Sequence, residues 1–547
     1  MAALPQWAQA AGLLALCAIL FVVGLGDRGL AYSEGHRVGP AWEMLDAGMP
    51  WEAGDAWLVP RLFETPYLRK PPGMMWAIAA SSALLGKTEL AARLPSAIAM
   101  AVLVLVSWRV TTRWVGSPWG LAAGVAQALF PFFWSSARAA EIEMLHAASG
   151  GVAALLLGDA LLRRDRLGWL SALGSGCALA AMALAKGPAA LPVVAAIVPA
   201  ACIVRRSIGV MARPWLALVL VVPGLVLGLV SLAMAEALGR VHGPVITQDV
   251  GEFLWEGSKV SRILTLPGAA WVSMLPAGLA LLLFLPRRRA EREAASDAGE
   301  IALRAEEAGR VFALAWLIAI LFYTAIGVSN PRYTLPAGTL LPPVVAAALA
   351  SWRTPKGIGG MAGARRGAAR VLWLGWPGVW VGVLAAGFVG FLVWYEAPRG
   401  RTSGDEAGAG LAAVLERAAD GASGREVGLD SRGPIVWADQ LVECRPEVLL
   451  YARRWNPLVR ARWVKPLESV EPAVGDILIV RTDRHGLGDG EPTERDRCAA
   501  LLQRAERIDA FDVHKYSFEV YAVRASPGTE LPGNEHLPDQ PARGPEP

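Results

Sequence analysis

Long apolar runs separated by clusters of arginine constrain this chain more than any other feature. A backbone inside lipid must satisfy its own hydrogen bonds, so such runs can cross only as helices. The spacing predicts spans at roughly 8–26, 90–108, 117–135, 144–162, 168–185, 188–204, 214–235, 266–286, 311–328, 335–351 and 371–394. That makes about eleven helices, each near the length a hydrocarbon core of roughly 30 Å requires. Composition agrees: 54% of residues are hydrophobic and 18% charged, where a soluble chain has about a quarter charged. The expected fold is an all-α polytopic membrane domain over residues 1–395. A small soluble α/β domain over 396–525 and a disordered tail over 526–547 follow.

The arginines set the expected topology. Clusters occur at Arg109/Arg113, at Arg163/Arg164/Arg166, at Arg205/Arg206/Arg213, at Arg287 to Arg289, and from Arg353 to Arg370. Each lies two spans after the one before, the alternation produced when basic loops stay in the cytoplasm. The net charge of +4 is therefore a topology signal, and a nucleic-acid partner is not expected. Residues 1–26 carry no charge and lack the basic region and small-residue site of a cleaved leader, so a retained first helix and a cytoplasmic N-terminus are expected. The apolar segment 72–86 reads as an interfacial or re-entrant helix, because counting it as a span breaks the alternation. Loops 27–89, 136–143 and 236–265, the turns at Lys186 and Asn330–Tyr333, and residues 395–547 then all face outward.

The candidate chemistry collects on that side. In Pro66-Tyr67-Leu68-Arg69-Lys70-Pro71-Pro72-Gly73, two prolines fix φ and stop a helix from running through. Lys70 is thus held at the membrane edge, either as a snorkelling anchor or as a cation for an anionic, lipid-soluble ligand. Lys186-Gly187-Pro188 and Arg332-Tyr333 are further cationic turns, and converging cations bind phosphate. Glu34 follows the first span. Arg138, Glu141 and Glu143 stand just before another. Glu34 and Glu143 are the candidate catalytic carboxylates, and Lys70, Lys186, Arg332, Tyr333, Arg138 and Tyr67 the candidate substrate contacts. Acidic residues there also suit a helix N-terminus. No CxxC or zinc-type spacing occurs. No cofactor is implied, although carboxylates near a phosphate can recruit a divalent cation.

Downstream, residues 405–420 have helical periodicity through Leu411, Val414 and Leu415. Strands are expected at 433–438, 447–452, 461–465, 476–481 and 517–523, with a helix at 494–507. Cys444 and Cys498 could pair if this region meets an oxidising compartment.

Taken in order, several pieces resemble the polytopic membrane glycosyltransferases of GT-C type, the group with aminoarabinose lipid A transferases and protein O-mannosyltransferase-like enzymes. The pieces are Ser33-Glu34 through Glu43-Met44-Leu45, Trp57 to Arg61, Pro66 to Pro72, Ala92 to Ser96, Arg138 to Met144, Lys186 to Pro188 and Arg332 to Pro336. The resemblance covers about residues 27–340. It implies transfer of a sugar from a polyprenyl phosphate, such as an undecaprenyl phosphate sugar, to an acceptor outside the cytoplasmic membrane. Lipid A, another glycan or a protein could be that acceptor. By position it implies that Lys70 and Lys186 hold the donor phosphate with help from Arg332. Three departures stand out. Ser33 replaces the usual Asp, Glu143 replaces an Asp, and Arg69 replaces a Glu. A flippase or transporter of a lipid-linked substrate is the alternative, though no internal repeat supports it. A catalytically inactive scaffold is the other, with Ser33 as its main argument.

Overall fold

The computed structural model describes residues 4–240, 297–326, 331–353, 404–423, 435–455 and 460–524, apart from 164, 166, 475, 486, 488–490 and 514. The expected spans 266–286 and 371–394, most of loop 236–265 and the expected tail lie outside them. The chain divides into two compact units, Met1–Arg401 and Thr402–Pro547.

The first unit is helical. Helices α1 (Gln6–Phe21), α2 (Gly35–Ala47) and α3 (Gly73–Leu85) are followed by α4 (Glu89–Val115), α5 (Ser117–Ala128) and α6 (Ile142–Leu162). Then come α7 (Gly168–Lys186), α8 (Leu191–Arg205), α9 (Leu218–Arg240), α10 (Asp297–Ala325) and α11 (Leu341–Arg353). Among the described residues, six helical segments are long and apolar enough to cross a membrane, and they carry α4 and α6 to α10. Three expected spans are shorter than their apolar patterns suggest. α1 has 16 residues, α5 has 12 and α11 has 13. Near Pro131 the chain leaves α5 for a tight turn, Pro131–Phe133, because proline has no amide hydrogen to continue the ladder.

α6 is the central helix. Its glycines let neighbours approach closely: a Cβ on Gly150 would lie 2.8 Å from the Ala190 Cβ, and one on Gly151 would lie 2.3 Å from the Thr339 hydroxyl oxygen. Small residues serve helix contact in this way where no hydrophobic force drives helices together in lipid. By contrast α9 exposes Leu220, Leu225, Leu229 and Leu232.

The two ends of α6 differ. At its C-terminal end, buried Asp159 accepts hydrogen bonds from Arg113, Trp114 Nε1 (3.0 Å) and Ser171 Oγ (2.5 Å). Arg205 and Arg213 donate to the last carbonyls, of Leu161, Leu162 and Ala160, where the helix dipole favours cations. The arginine clusters after α4, α6 and α8 therefore meet at one end of the bundle. Glu143 and Lys186 sit at the other, separated from it by about 16 residues of helix, or roughly 24 Å.

In the second unit, α12 (Gly404–Ser423) accompanies a five-stranded sheet of order β4-β3-β5-β7-β6. Here β3 is Ile435–Ala438, β4 Arg460–Trp463, β5 Ile477–Arg481, β6 Ala505–Val513 and β7 Tyr516–Val523. β3 runs parallel to β4 and β5, and β7 antiparallel to β5 and β6. Two expectations are corrected. Residues 447–452 form not a strand but part of helix α13 (Pro446–Trp455), with Glu447 in its first turn and Arg453 and Arg454 in its last. Proline at a helix start and charges matched to the dipole are helix signals that outweigh a short apolar run. The helix expected at 494–507 stops after two short turns, Glu494–Arg497 and Ala499–Leu502, and strand β6 begins at Ala505. β6 is a charged edge strand, and Glu506, Arg507 and Asp509 mask its alternation. Cys444 and Cys498 are both free thiols.

Candidate active site

The site is assembled from turns at the N-terminal end of α6. A two-residue hairpin leads into the proline loop. β1 (Arg61–Leu62) pairs with β2 (Thr65–Pro66) around Phe63 and Glu64, both left-handed at φ +52° and +66°. Such a turn is unfavourable without glycine. It is held by the Glu43 carboxylate, which accepts from the amides of Phe63 (2.7 Å) and Glu64 (3.3 Å). The chain emerges at Tyr67, which is 2% exposed. Its hydroxyl accepts from Arg37 Nη1 at 2.6 Å.

After Lys70-Pro71-Pro72 comes Gly73, the first residue of α3. A Cβ on Gly73 would lie 2.6 Å from the backbone oxygen of Leu184, so only glycine lets α3 touch α7 there. That contact is two residues from Lys186, where α7 ends. Gly187, at φ +79°, ends the helix in a backbone conformation that favours glycine, its amide donating to the Ala183 carbonyl at 2.8 Å. The proline loop and the lysine turn are thus locked together. Lys70 registers the consequence. Burial, followed by the charges of Arg37, Lys186 and Arg69, lowers its pKa to about 8, against a smaller upward pull from Glu143.

Glu143 lies in the first turn of α6 and is buried. Its Oε1 pairs with Lys186 Nζ at 3.0 Å and with Arg332 Nη1 at 3.7 Å. The Lys186 ammonium also sits 4.3 Å from the Tyr333 ring centroid, a cation–π contact. The turn Pro331–Thr334 that carries Arg332 and Tyr333 therefore closes on the end of α7. Lys70, Lys186, Arg332, Tyr333 and Glu143 form one cluster, with Tyr67 joined to it through Arg37. Cations outnumber the carboxylate, and the cluster suits an anion with negative charge spread over several oxygens.

Two expected site residues are placed differently. Glu34 is buried in a bidentate pair with Arg93, Nε and Nη2 each at 2.8 Å. It also accepts from the amides of Ala31 (2.9 Å) and Ala140 (2.7 Å). Four donors fill the lone-pair positions of one carboxylate. Glu34 thereby ties the first loop to α4 and to the approach to α6. Arg138 donates to the carbonyls of Leu20, Val23 and Gly24 at the end of α1 and just beyond it and stacks on Trp134, 4.9 Å from its ring centroid. It caps a helix end and is not brought to the cluster.

Three further residues carry the geometry: Arg37, Arg93 and Glu141. Arg93 lies within a motif quoted above, but nothing in its spacing pairs it with Glu34. Glu141 differs from Glu143 only in standing outside the first turn of α6. Its Oε1 accepts from Ser33 Oγ at 2.5 Å. Among the described residues no group of three or more His, Cys, Asp or Glu is placed to hold a metal ion.

Residues 69–231 match the family model for dolichyl-phosphate-mannose-protein mannosyltransferase, a stretch that contains Lys70, Glu141, Glu143 and Lys186. No curated protein matches the chain by sequence. The fold is similar to that of ArnT from Cupriavidus metallidurans. The apo structure of that protein superposes with a TM-score of 0.58 at 16% identity, covering 93% of this chain and 97% of the other. Its structure bound to undecaprenyl phosphate gives 0.59 at 18% identity, covering 95% and 98%. The GT-C fold expected from the motifs is borne out, and the chain is a multi-pass membrane protein.

Proposed function

We propose that the chain is a membrane glycosyltransferase that moves a sugar from a polyprenyl-phosphate donor to an acceptor on the outer face of the cytoplasmic membrane. The N-terminus would be cytoplasmic and the second unit extracytoplasmic. The observation that carries the reading is the meeting of Lys70, Lys186 and Arg332 around Glu143 at one end of an apolar bundle. A lipid phosphate places its anion at such a boundary and its tail in the hydrocarbon. In the reaction, the bond between the sugar anomeric carbon and the phosphate oxygen breaks, and the electron pair stays on the phosphate. An acceptor oxygen or nitrogen bonds to that carbon and gives up a proton. Lys70, Lys186 and Arg332 would stabilise the departing phosphate, the charge that grows most in the transition state. Glu143 would hold Lys186 and Arg332 in place. A hexosyl or a pentosyl group, and a lipid A, glycan or protein acceptor, all fit this scheme. A divalent cation, were one to take part, would be held by Glu143 and would supply further positive charge against the phosphate.

The test is transfer of radiolabelled sugar from polyprenyl phosphate in reconstituted membranes. Transfer lost in Lys70→Ala and in Glu143→Gln, with folding intact, is the expected result. Passage of donor across the bilayer without transfer would replace this reading with a flippase. Neither activity in a folded protein would leave a scaffold.

A further inference from the structure

The proposed transfer releases one proton, and the residues discussed so far are poorly placed to receive it. Glu34 is saturated by four donors. Glu143 is committed to Lys186 and Arg332. Glu141 is in another situation. It is the N-cap residue of α6, in extended conformation (φ −121°, ψ 158°), yet its side chain caps no amide of that helix. Instead the carboxyl accepts from the half-buried Ser33 hydroxyl at 2.5 Å and lies beside the Glu143 carboxyl.

The surroundings separate the pair. Glu143 faces Lys186 and Arg332, with Lys70 beyond. Glu141 faces Ser33, Glu143 and Glu34, and the guanidinium of Arg93 on α4 is already spent on Glu34. Burial, and then the negative charge of Glu143, raise the pKa of Glu141 well above the usual carboxylate range. Two acids whose environments pull them apart divide the labour of proton transfer, and a base works best when its pKa lies near the working pH.

We propose that Glu141 is the proton acceptor of the transfer and that Ser33 Oγ connects it to the substrate. This rests on the glycosyltransferase reading. As the acceptor atom bonds to the anomeric carbon, its proton passes to Ser33 Oγ, and the Ser33 proton passes to the Glu141 carboxylate. Glu141 later releases it to water. The contact between Ser33 and Glu141 also makes the carboxylate transferable, because an aspartate at 33 would set a carboxylate beside residue 141.

Four variants are compared in the full-length reconstituted protein: Glu141→Gln, Glu141→Asp, Ser33→Ala, and Ser33→Asp combined with Glu141→Gln. Undecaprenyl phosphate affinity should stay within about twofold in Glu141→Gln, while transfer falls by about 100-fold or more, the size of a lost acid–base group. Wild-type transfer should rise with pH along a limb above the usual carboxylate range. Glu141→Asp should keep such a limb, Ser33→Ala should lower the rate, and the double variant should recover part of the rate with its limb moved to lower pH. A second readout does not depend on transfer. Infrared difference spectra between low and high pH should contain the carbonyl band of a protonated carboxylic acid that is lost along the same limb, and Glu141→Gln should remove it. If wild-type protein transfers no sugar, the functional reading fails, and the band still decides whether Glu141 holds the proton. Full transfer by Glu141→Gln with an unchanged pH profile, or a spectrum without that band, would overturn the proposal.

Discussion

Lys70 allows the phosphate-binding reading to be tested through protons. Its pKa in the empty site is lowered to about 8, so part of the ammonium is already neutral in mildly alkaline solution. A bound phosphate would restore the charged form and raise that pKa. The contribution of Lys70 to binding is therefore whole below about pH 8 and fades as pH rises above it, because binding must then take up a proton. Between about pH 7 and about pH 9.5, undecaprenyl phosphate affinity should fall about 30-fold if the bound pKa lies above that range. The phosphate does not obscure the effect, since its second ionisation is complete by then. Lys70→Met should weaken binding at neutral pH by about 1.5–3 kcal/mol, the worth of one charge-assisted hydrogen bond, or about 10- to 150-fold in Kd. It should also flatten the profile. Lys70→Arg should keep the affinity and lose the alkaline fall, because guanidinium stays charged. Titration of purified protein with undecaprenyl phosphate across this pH range measures all three. A flat wild-type profile, or an identical fall in Lys70→Met, would refute the assignment of Lys70 to the phosphate.

Gly73→Ala should cost about 1–3 kcal/mol through overpacking, because its Cβ would meet the Leu184 carbonyl oxygen at 2.6 Å. It should weaken lipid phosphate binding as well by moving Lys70 away from Lys186. An unchanged Tm in detergent together with unchanged affinity would show that this contact does not position the loop. In the second unit, Glu494 is buried, accepts from the amides of Gln440 and Arg481, and is pushed up to about 8 by burial. A folded pKa above the unfolded value gives stability that is whole below about pH 4.3 and is lost as pH rises through the folded pKa. The urea midpoint for labelling of buried Cys498, with the other cysteines replaced, should therefore fall over that range in wild type. Glu494→Gln should remove most of the slope; equal slopes in the two proteins would count against it.

Much of the first unit could be read locally. Apolar length, proline and arginine spacing are properties of short windows, and α4 and α6 to α9 lie close to where those windows put them. The cationic turns at Lys70, Lys186 and Arg332 were visible for the same reason, since Pro71, Pro72, Gly187, Pro188 and Pro331 interrupt apolar runs. Roles within the cluster were less visible. Glu34, Glu141 and Glu143 look alike along the chain, and they differ by what approaches them: Arg93 and two amides for Glu34, Ser33 for Glu141, Lys186 and Arg332 for Glu143. Arg138 looked like a ligand contact because helix-end carbonyls leave no mark in sequence. In the second unit α13 was misread because a short apolar run has no period long enough to separate helix from strand, and β6 because Glu506, Arg507 and Asp509 mask its alternation. Pairing with β7 made β6 a strand, and Pro446 with the matched end charges made α13 a helix.

The order of amino acids by itself determined that this chain spans a membrane many times, which loops carry cations, and where the backbone must break. These follow from the cost of burying charge and unsatisfied backbone groups in lipid, a cost each segment meets alone. Only the tertiary structure decided that Lys70, Lys186, Arg332 and Glu143 come together in one cluster while Glu34 and Arg138 bond to its frame. The function of a charged side chain depends on which partners lie within a few ångströms, and those partners come from segments as far apart in the chain as Glu143 and Arg332.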